Sequence, residues 1–395
     1  MFVHSLYKLT ISMLNLLNLN LSDNSKTILN LIRLRKEISA ADIAKTVTLQ
    51  PSTVAYILKS LHDTELIKIS KTGDSTSKGG KKPLLWSINP DYGYFTGIEV
   101  MRSSIRLVIT NLSGEILIKY DESIDMDFTG DTLILFLNNA IRDAVKRIKY
   151  NYARLMGVGI ALPGIVDEIE GKIHISTKLN IQNFPFTNEI EKLTEKPVAI
   201  VNDANAGALG FKWYASDSQQ SNLPILYITY NNDNDDLGTG LIIHGQLYSG
   251  ANGMAGEVID KLPNIQEFQI HHKDKNIEND AFLKKLKRKG NCNFDEILQS
   301  IPQSAFAEKY IKAFNQVIID EFARLISFID PSVIYVGGDL SSEAYIQTFI
   351  IPKVQKKLQN HFNFNYRLPK IIVSPFGKYD ICMGAASLFI HEFYQ

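Results

Sequence analysis

The chain has 395 residues, 45% of them hydrophobic and 21% charged, with 42 basic side chains against 42 acidic ones; this is the make-up of a soluble globular protein too long for one ordinary core. Its two cysteines, Cys292 and Cys382, exclude a disulfide framework and a thiolate zinc site and fit a reducing cytoplasm. The charge is unevenly spread: residues 1–90 hold 12 Lys/Arg and 6 Asp/Glu, leaving 30 and 36 for residues 91–395, an asymmetry that suggests an attached polyanion-binding module.

From Leu6 to Leu21 the chain is apolar but broken by Lys8, Thr10, Ser12, Asn15, Asn18 and Asn20. The stretch is too short and too polar to span a bilayer. It also lacks the basic start and small-residue cleavage site of a secretory signal. Leu6, Leu9, Met13, Leu16 and Leu17 fall near helical spacing, which predicts an amphipathic helix packing on a partner. No membrane association is expected.

A helix is predicted from Ser25 to Glu37, with Ile28, Leu31, Ile32 and Leu34 on its apolar side. Ser39 is placed to cap a short helix over Ala40–Val47, with Asp42 answering three residues later. After Thr48-Leu49-Gln50, Pro51 suits the first position of another helix, where no backbone donor is needed. There Val54, Ile57, Leu58 and Leu61 recur at i, i+3, i+4, i+7, while Ser52, Thr53, Tyr56 and Lys59 lie opposite. Two short helices joined this tightly form the helix-turn-helix pattern, whose second helix enters the DNA major groove. Small hydroxyl side chains near its start allow a close approach and bond either phosphate or base. Ile67–Lys71 and Leu84–Ile88 then alternate as strands around a basic turn carrying Lys81 and Lys82. That hairpin is a candidate wing contacting phosphate or a minor groove. The bland alternative is a helical packing module with a solvated loop.

Beyond Asn89-Pro90 strands are predicted at Tyr94–Val100, Ser104–Asn111 and Glu115–Asp121, the last two joined by the turn Asn111-Leu112-Ser113-Gly114. A helix over Thr132–Ile148 follows, then strands at Leu155–Ala161, Val198–Val201, Ile225–Tyr230 and Thr239–Ile243. This alternation argues an α/β fold with mixed sheets. Several motifs follow in order: Gly97-Ile98-Glu99, Ala161-Leu162-Pro163-Gly164, Asn202-Asp203-Ala204-Asn205, Leu237-Gly238-Thr239-Gly240, Gly250-Ala251-Asn252-Gly253-Met254-Ala255-Gly256-Glu257, Asp330-Pro331 with Val336-Gly337-Gly338, and Gly384-Ala385-Ala386.

That series resembles the ROK family of repressors, open reading frames and sugar kinases. The front module is similar to the family's winged helix, down to Gly79-Gly80-Lys81-Lys82-Pro83 and Ile88-Asn89-Pro90. The resemblance covers residues 25–395 and implies a winged helix-turn-helix followed by an actin-like, two-lobed α/β domain with a sugar cleft, usually dimeric. The expected divisions are 1–90 for the DNA-binding domain, 91–205 with 378–395 for the first lobe, and 206–377 for the second lobe, with sugar sensing and dimerisation.

By the family pattern Asn180, Asn202, Asp203 and Glu257 line the sugar pocket, as carboxylates and amides match vicinal hydroxyls. Their structural alternatives are a turn residue for Asn180, a cap for Asn202 and a helix N-terminal charge for Glu257. Asp203 matches the family's catalytic base and Gly238-Thr239-Gly240 its second phosphate loop. The first phosphate loop departs: kinases of the family show Asp-x-Gly-Gly-Thr, where this chain has Glu99-Val100-Met101-Arg102-Ser103-Ser104. Met101 and Arg102 bring bulk where glycine lets backbone amides approach phosphate. Glu99 retains a carboxylate for magnesium with altered reach, and the acidic run from Asn231 to Asp236 adds negative charge near a polyphosphate. Asp203 then reads as a vestigial base that accepts a sugar hydroxyl, with no catalytic residue.

The zinc-binding members carry a histidine three residues after the glutamate and then a cysteine cluster; here the position is Asp260 and no cluster follows. Asp260 becomes a candidate sugar ligand in that place. His271 and His272 are adjacent, without a third thiolate, and read as loop residues. No metal and no cofactor are expected. Lys273–Lys289 reads as an exposed helical insertion of mixed charge.

The resulting expectation is a cytoplasmic, homodimeric repressor of double-stranded operator DNA whose effector is a monosaccharide such as xylose. An ATP-dependent sugar kinase with an accessory DNA module is the alternative; a ligand-independent DNA-binding scaffold is the third.

Overall fold

A computed structural model describes residues 21–72, 82–124, 129–148, 151–214, 223–231, 236–258, 262–263, 265, 268, 280–289, 294–340, 343–363 and 367–394. The helix expected over Leu6–Leu21 lies almost wholly outside these residues. By contact the chain divides into two compact units, one of residues 1–100, 104–202 and 382–395, the other of residues 101–103 and 203–381. The N-terminal module thus groups with the first α/β lobe, and the divisions fall at 202/203 and 381/382 where the sequence suggested 205/206 and 377/378.

The first unit opens with α1 (Asp23–Arg35), capped by Ser22, whose Oγ accepts from the Ser25 amide at 3.2 Å. This cap starts the helix two residues before the predicted point. Ile28, Leu29 and Ile32 are its buried face, whereas Leu34 is 62% exposed. Leu34 sits six residues past Ile28, about 240° round the helix, so it leaves the apolar side. Then come β1 (Ile38–Ser39), α2 (Ala40–Val47), α3 (Pro51–Asp63), β2 (Ile67–Thr72) and β3 (Leu84–Ile88). The three strands form one antiparallel sheet in the order β1-β3-β2. This is the element order of a winged helix-turn-helix.

The body of the unit is a five-stranded sheet with β4 (Tyr94–Val100), β5 (Ser104–Asn111), β6 (Ile116–Ser123), β7 (Leu155–Leu162) and β11 (Val198–Asn202), in the order β11-β7-β4-β5-β6. Between β6 and β7 runs α4 (Gly130–Arg147), started by a capping box of Thr129 and Thr132. A small antiparallel sheet of β8 (Ile165–Asp167), β9 (Lys172–Ser176) and β10 (Ile181–Phe184), then α5 (Phe186–Thr194), lead to β11. Strands β4 and β7 are buried along their whole length, as suits central strands covered on both faces. On one of those faces Leu133, Leu137 and Ile141 of α4 and Ile190 of α5 pack with Ile98, Leu107 and Val158.

The second unit contains α6 (Asp203–Tyr214), β12 (Ile225–Asn231), β13 (Asp236–Ile243), β14 (Gln246–Leu247), α7 (Ala281–Lys289), α8 (Phe294–Ser300), α9 (Ala305–Ile329), β15 (Val333–Gly338), α10 (Ile351–Phe362) and β16 (Lys370–Val373). Its sheet has the order β14-β13-β12-β15-β16. In each unit an antiparallel meander of three strands is extended by two parallel strands beside the first. The two sheets therefore share one topology. Phe282, Leu283 and Leu286 of α7 are buried with Phe306, Tyr310 and Phe314 of α9, so the described part of the stretch expected to be an exposed insertion, residues 280–289, contributes apolar side chains to a core. The chain ends in α11 (Asp380–Tyr394). Among the described residues no helix is long and apolar enough to cross a membrane.

Candidate functional site

Ser39 accepts from the Asp42 amide at 3.2 Å and donates its hydroxyl proton to the Asp42 carboxylate at 2.6 Å, which fixes the start of α2. The helix ends at Thr48, in the left-handed region at φ 53°. Pro51 occupies the first turn of α3. Val54, Ile57, Leu58 and Leu61 are buried, and this holds Ser52, Thr53, Tyr56 and Lys59 on the opposite, exposed side. Tyr56 is 76% exposed. His62 at the end of α3 meets the Trp86 ring of β3 edge-on, centroids 5.6 Å apart, which locks the helix to the wing strands. Lys71 on β2 pairs with Glu37 at 2.6 Å and holds that carboxyl below its usual pKa. Lys82 is exposed where β3 begins; Lys81 lies outside the described residues.

The expected carbohydrate ligands fall into two groups. On the first unit, Asn180 is exposed at the turn between β9 and β10, with φ 53°; this is a conformation asparagine tolerates better than most residues. Asn202 closes β11, and its Nδ2 donates to the Gly164 carbonyl at 3.0 Å. Gly164 itself has φ 111°, and a Cβ there would overlap the Ile175 carbonyl on β9. The side chain of Asn202 therefore steadies the Leu162-Pro163-Gly164 turn and the small sheet that carries Asn180.

On the second unit, Asp203 is the first residue of α6, where the helix dipole favours a carboxylate, and its Oδ1 accepts from the Ala204 amide at 2.9 Å. A Cβ at Gly240 would press on the Ala204 carbonyl and on Ala208, so β13 lies tight against α6. The Thr239 hydroxyl donates to the Gly256 carbonyl. Gly250, Gly253 and Gly256 all have positive φ and shape the turn that ends in exposed Glu257. The start of α6 and the glycine turn therefore both pack on the middle of β13, at Gly240 and Thr239. Asp260, His271 and His272 lie outside the described residues, as do residues 232–235 of the acidic run. Among the described residues no group of three His, Cys, Asp or Glu side chains is placed to hold a metal ion.

Glu99, weighed above as a magnesium ligand, is 1% exposed and ion-pairs at 3.5 Å with Arg106 on the neighbouring strand. Arg106 escaped the sequence reading, although the signal was present: strands 94–100 and 104–111 joined by three residues set 99 opposite 106. Asp380 was also missed. It is buried, and it accepts from the Tyr227 hydroxyl at 2.6 Å and from the Gly338 amide at 3.2 Å. Burial, with Asp380 beside it, pushes the Tyr227 phenol well above its usual pKa.

The chain belongs to the ROK family, whose model matches residues 95–392. It is 33% identical over 247 residues to the xylose repressor of Caldicellulosiruptor bescii, covering 62% of this chain and 59% of that one. To the xylose repressor of Staphylococcus xylosus it is 27% identical over 353 residues, 88% of each chain. In the Caldicellulosiruptor relatives the match spans less than two thirds of their length, 59% and 57%. Among solved structures it is similar to a ROK family transcriptional regulator described as a homolog of the E. coli MLC protein. The TM-score is 0.69, with 20% identity over 94% of this chain and 96% of the other, a likeness of fold.

Proposed function

We propose that the chain is a sugar-responsive transcriptional repressor that binds double-stranded operator DNA as a homodimer and takes a monosaccharide, xylose first among them, as its effector. The observation that carries this reading is α3, with a fully buried apolar stripe and Ser52, Thr53, Tyr56 and Lys59 all exposed opposite it, on a module ahead of a ROK body. Residues near the start of such a helix reach base edges, and Lys82 with Lys81 neutralises phosphates. In a dimer two such helices meet half-sites about 34 Å apart, or a multiple of that. Asn180, Asn202, Asp203, Glu257 and Asp260 are the proposed sugar ligands. The relatives named as xylose repressors support the choice of effector.

Phosphoryl transfer is disfavoured by the start of the first phosphate loop. Glu99 is buried against Arg106, and Met101 is buried where the kinase pattern has glycine. A carboxylate committed to a guanidinium is a poor magnesium ligand. The kinase reading keeps one supporting observation, the close packing of Gly240 on α6 beside Asp203. Turnover of ATP with a panel of pentoses and hexoses separates the two: the repressor reading expects none above background, and turnover abolished by Asp203→Asn would establish the kinase. For the repressor itself, the test is selection of a bound duplex from random DNA, followed by titration of that duplex with and without xylose.

A further inference from the structure

Two of the proposed sugar ligands, Asp203 and Glu257, belong to the second unit, and one strand of that unit seats them both. Side chains alternate between faces along β13. Gly238 and Gly240 face the start of α6: a Cβ on Gly240 would lie 2.5 Å from the Ala204 carbonyl oxygen, and one on Gly238 would lie 3.1 Å from the Ala204 Cβ. Ala204 gives its amide proton to the Asp203 carboxylate at 2.9 Å. Asp203 is thus set against β13 through a single intervening residue.

Thr239, between the two glycines, points the other way and is 4% exposed. Its hydroxyl donates to the Gly256 carbonyl. Gly256 has φ 90°, and a Cβ there would lie 2.5 Å from the Thr239 carbonyl oxygen and 2.9 Å from its hydroxyl. Both the conformation and the close approach therefore call for glycine. Glu257 follows at once. Its amide donates to the Met254 carbonyl at 3.3 Å, and Val258 beyond it packs on the core of the second unit. The exposed carboxylate is carried on backbone held from both sides.

A hydroxyl group has one proton to donate. That of Thr239 goes to Gly256, so the same proton cannot also go to a phosphate on the loop that Gly238-Thr239-Gly240 resembles. The bond adds nothing to the pairing of β13 with β12, which is backbone to backbone. What it fixes is the residue before Glu257.

We propose that Thr239 is a positioning residue for sugar binding, holding Glu257 in place across β13 from the start of α6 that carries Asp203. This rests on the reading of Asp203 and Glu257 as sugar ligands. Hydrogen bonds from a carboxylate to sugar hydroxyls weaken steeply when the angle or distance is wrong. A ligand-binding side chain whose supporting shell is set in advance spends no binding energy on being ordered. Thr239 itself does not touch sugar in this scheme.

The test uses the full chain, with xylose and glucose as probes. Sugar affinity is measured by calorimetric titration for the wild type, Thr239→Val, Thr239→Ser, Glu257→Gln and the double variant Thr239→Val with Glu257→Gln, each shown to be folded by circular dichroism. Thr239→Val keeps the side-chain shape and removes the donor, and is expected to weaken sugar binding about tenfold. Thr239→Ser, which keeps the hydroxyl, stays within about twofold of the wild type. In the Glu257→Gln background, where the side chain still bonds through its amide, Thr239→Val costs less than about twofold more, because its effect runs through Glu257. Should Thr239→Val fail to fold, Thr239→Ala is compared with Thr239→Ser, a pair that differs by the hydroxyl alone, and the same loss is expected. Wild-type affinity in the variant without the hydroxyl, or a full loss on top of Glu257→Gln, overturns the role of Thr239 alone. Wild-type affinity in Glu257→Gln overturns Glu257 as a ligand and this inference with it. A wild type that binds neither sugar overturns the choice of effector on which both depend.

Discussion

Tyr56 has no part in the module's core, yet it is a large aromatic one turn into α3, flanked by Ser52, Thr53 and Lys59 on the same exposed side. In the proposed function such a residue serves the DNA partner and not the fold. Tyr56→Ala is expected to leave stability within about 0.5 kcal/mol while weakening operator binding about tenfold and changing base preference, since one good base contact is worth about 1–3 kcal/mol. Thermal denaturation and competition with base-substituted duplexes check both halves. Lys81→Ala with Lys82→Ala should act differently, lowering affinity for all sequences alike and reducing the salt slope by about 1–2. In the body, Glu99 and Arg106 make the opposite kind of pair, buried and mutually dependent. Arg106→Leu is expected to cost about 3 kcal/mol, as a buried carboxylate loses its counter-charge, and Glu99→Leu in the same chain should recover most of it. Urea titrations of the two single variants and the double one give that cycle. The pair was legible only in part: Glu99 stood out as a departure from a motif, while its partner became visible once the hairpin register was set.

The helix-turn-helix was readable because each boundary is written in local chemistry. Ser39 with Asp42 starts α2, Pro51 starts α3, and the stripe from Val54 to Leu61 fixes the buried side. Thr48 was not readable, because a β-branched residue gives no warning of a left-handed conformation. At that position Thr48→Gly should raise the stability of the module by about 0.5–1 kcal/mol, seen as slower amide exchange in α2 and α3. Strand β1 escaped because two residues carry no period. The small sheet of β8 to β10 escaped because its short strands alternate burial only partly. In α7 the lysines masked the triplet Phe282, Leu283 and Leu286 that faces the core. Contacts between distant elements leave a fainter trace. Gly159 gave no hint of its partner, yet a methyl group there would collide with the Ala385 carbonyl. Gly159→Ala should therefore cost about 1–3 kcal/mol of overpacking strain, measured by chemical denaturation.

At the scale of the molecule, the ordered glycine motifs make the family legible in the sequence, because glycine serves turns and close approaches that side chains cannot make. What they did not reveal is that the two α/β bodies repeat one strand order. Strand pairing is a long-range property, and the two halves share few residues from which to read it. The same limit applies to the proposed sugar ligands: they were named from motifs, and among the described ones Asn180 and Asn202 belong to one unit, Asp203 and Glu257 to the other. The proposed repressor function requires linkage between sugar binding and α3, since a ligand shifts an equilibrium only by its differential affinity for the two states. The direct measurement is a fluorescence-anisotropy titration of the selected duplex at fixed salt, with and without a saturating sugar that raises the melting temperature. The account predicts a change in operator affinity of about tenfold or more, about 1.4 kcal/mol of coupling. Superimposable binding curves in the presence of a sugar that does stabilise the protein would contradict it.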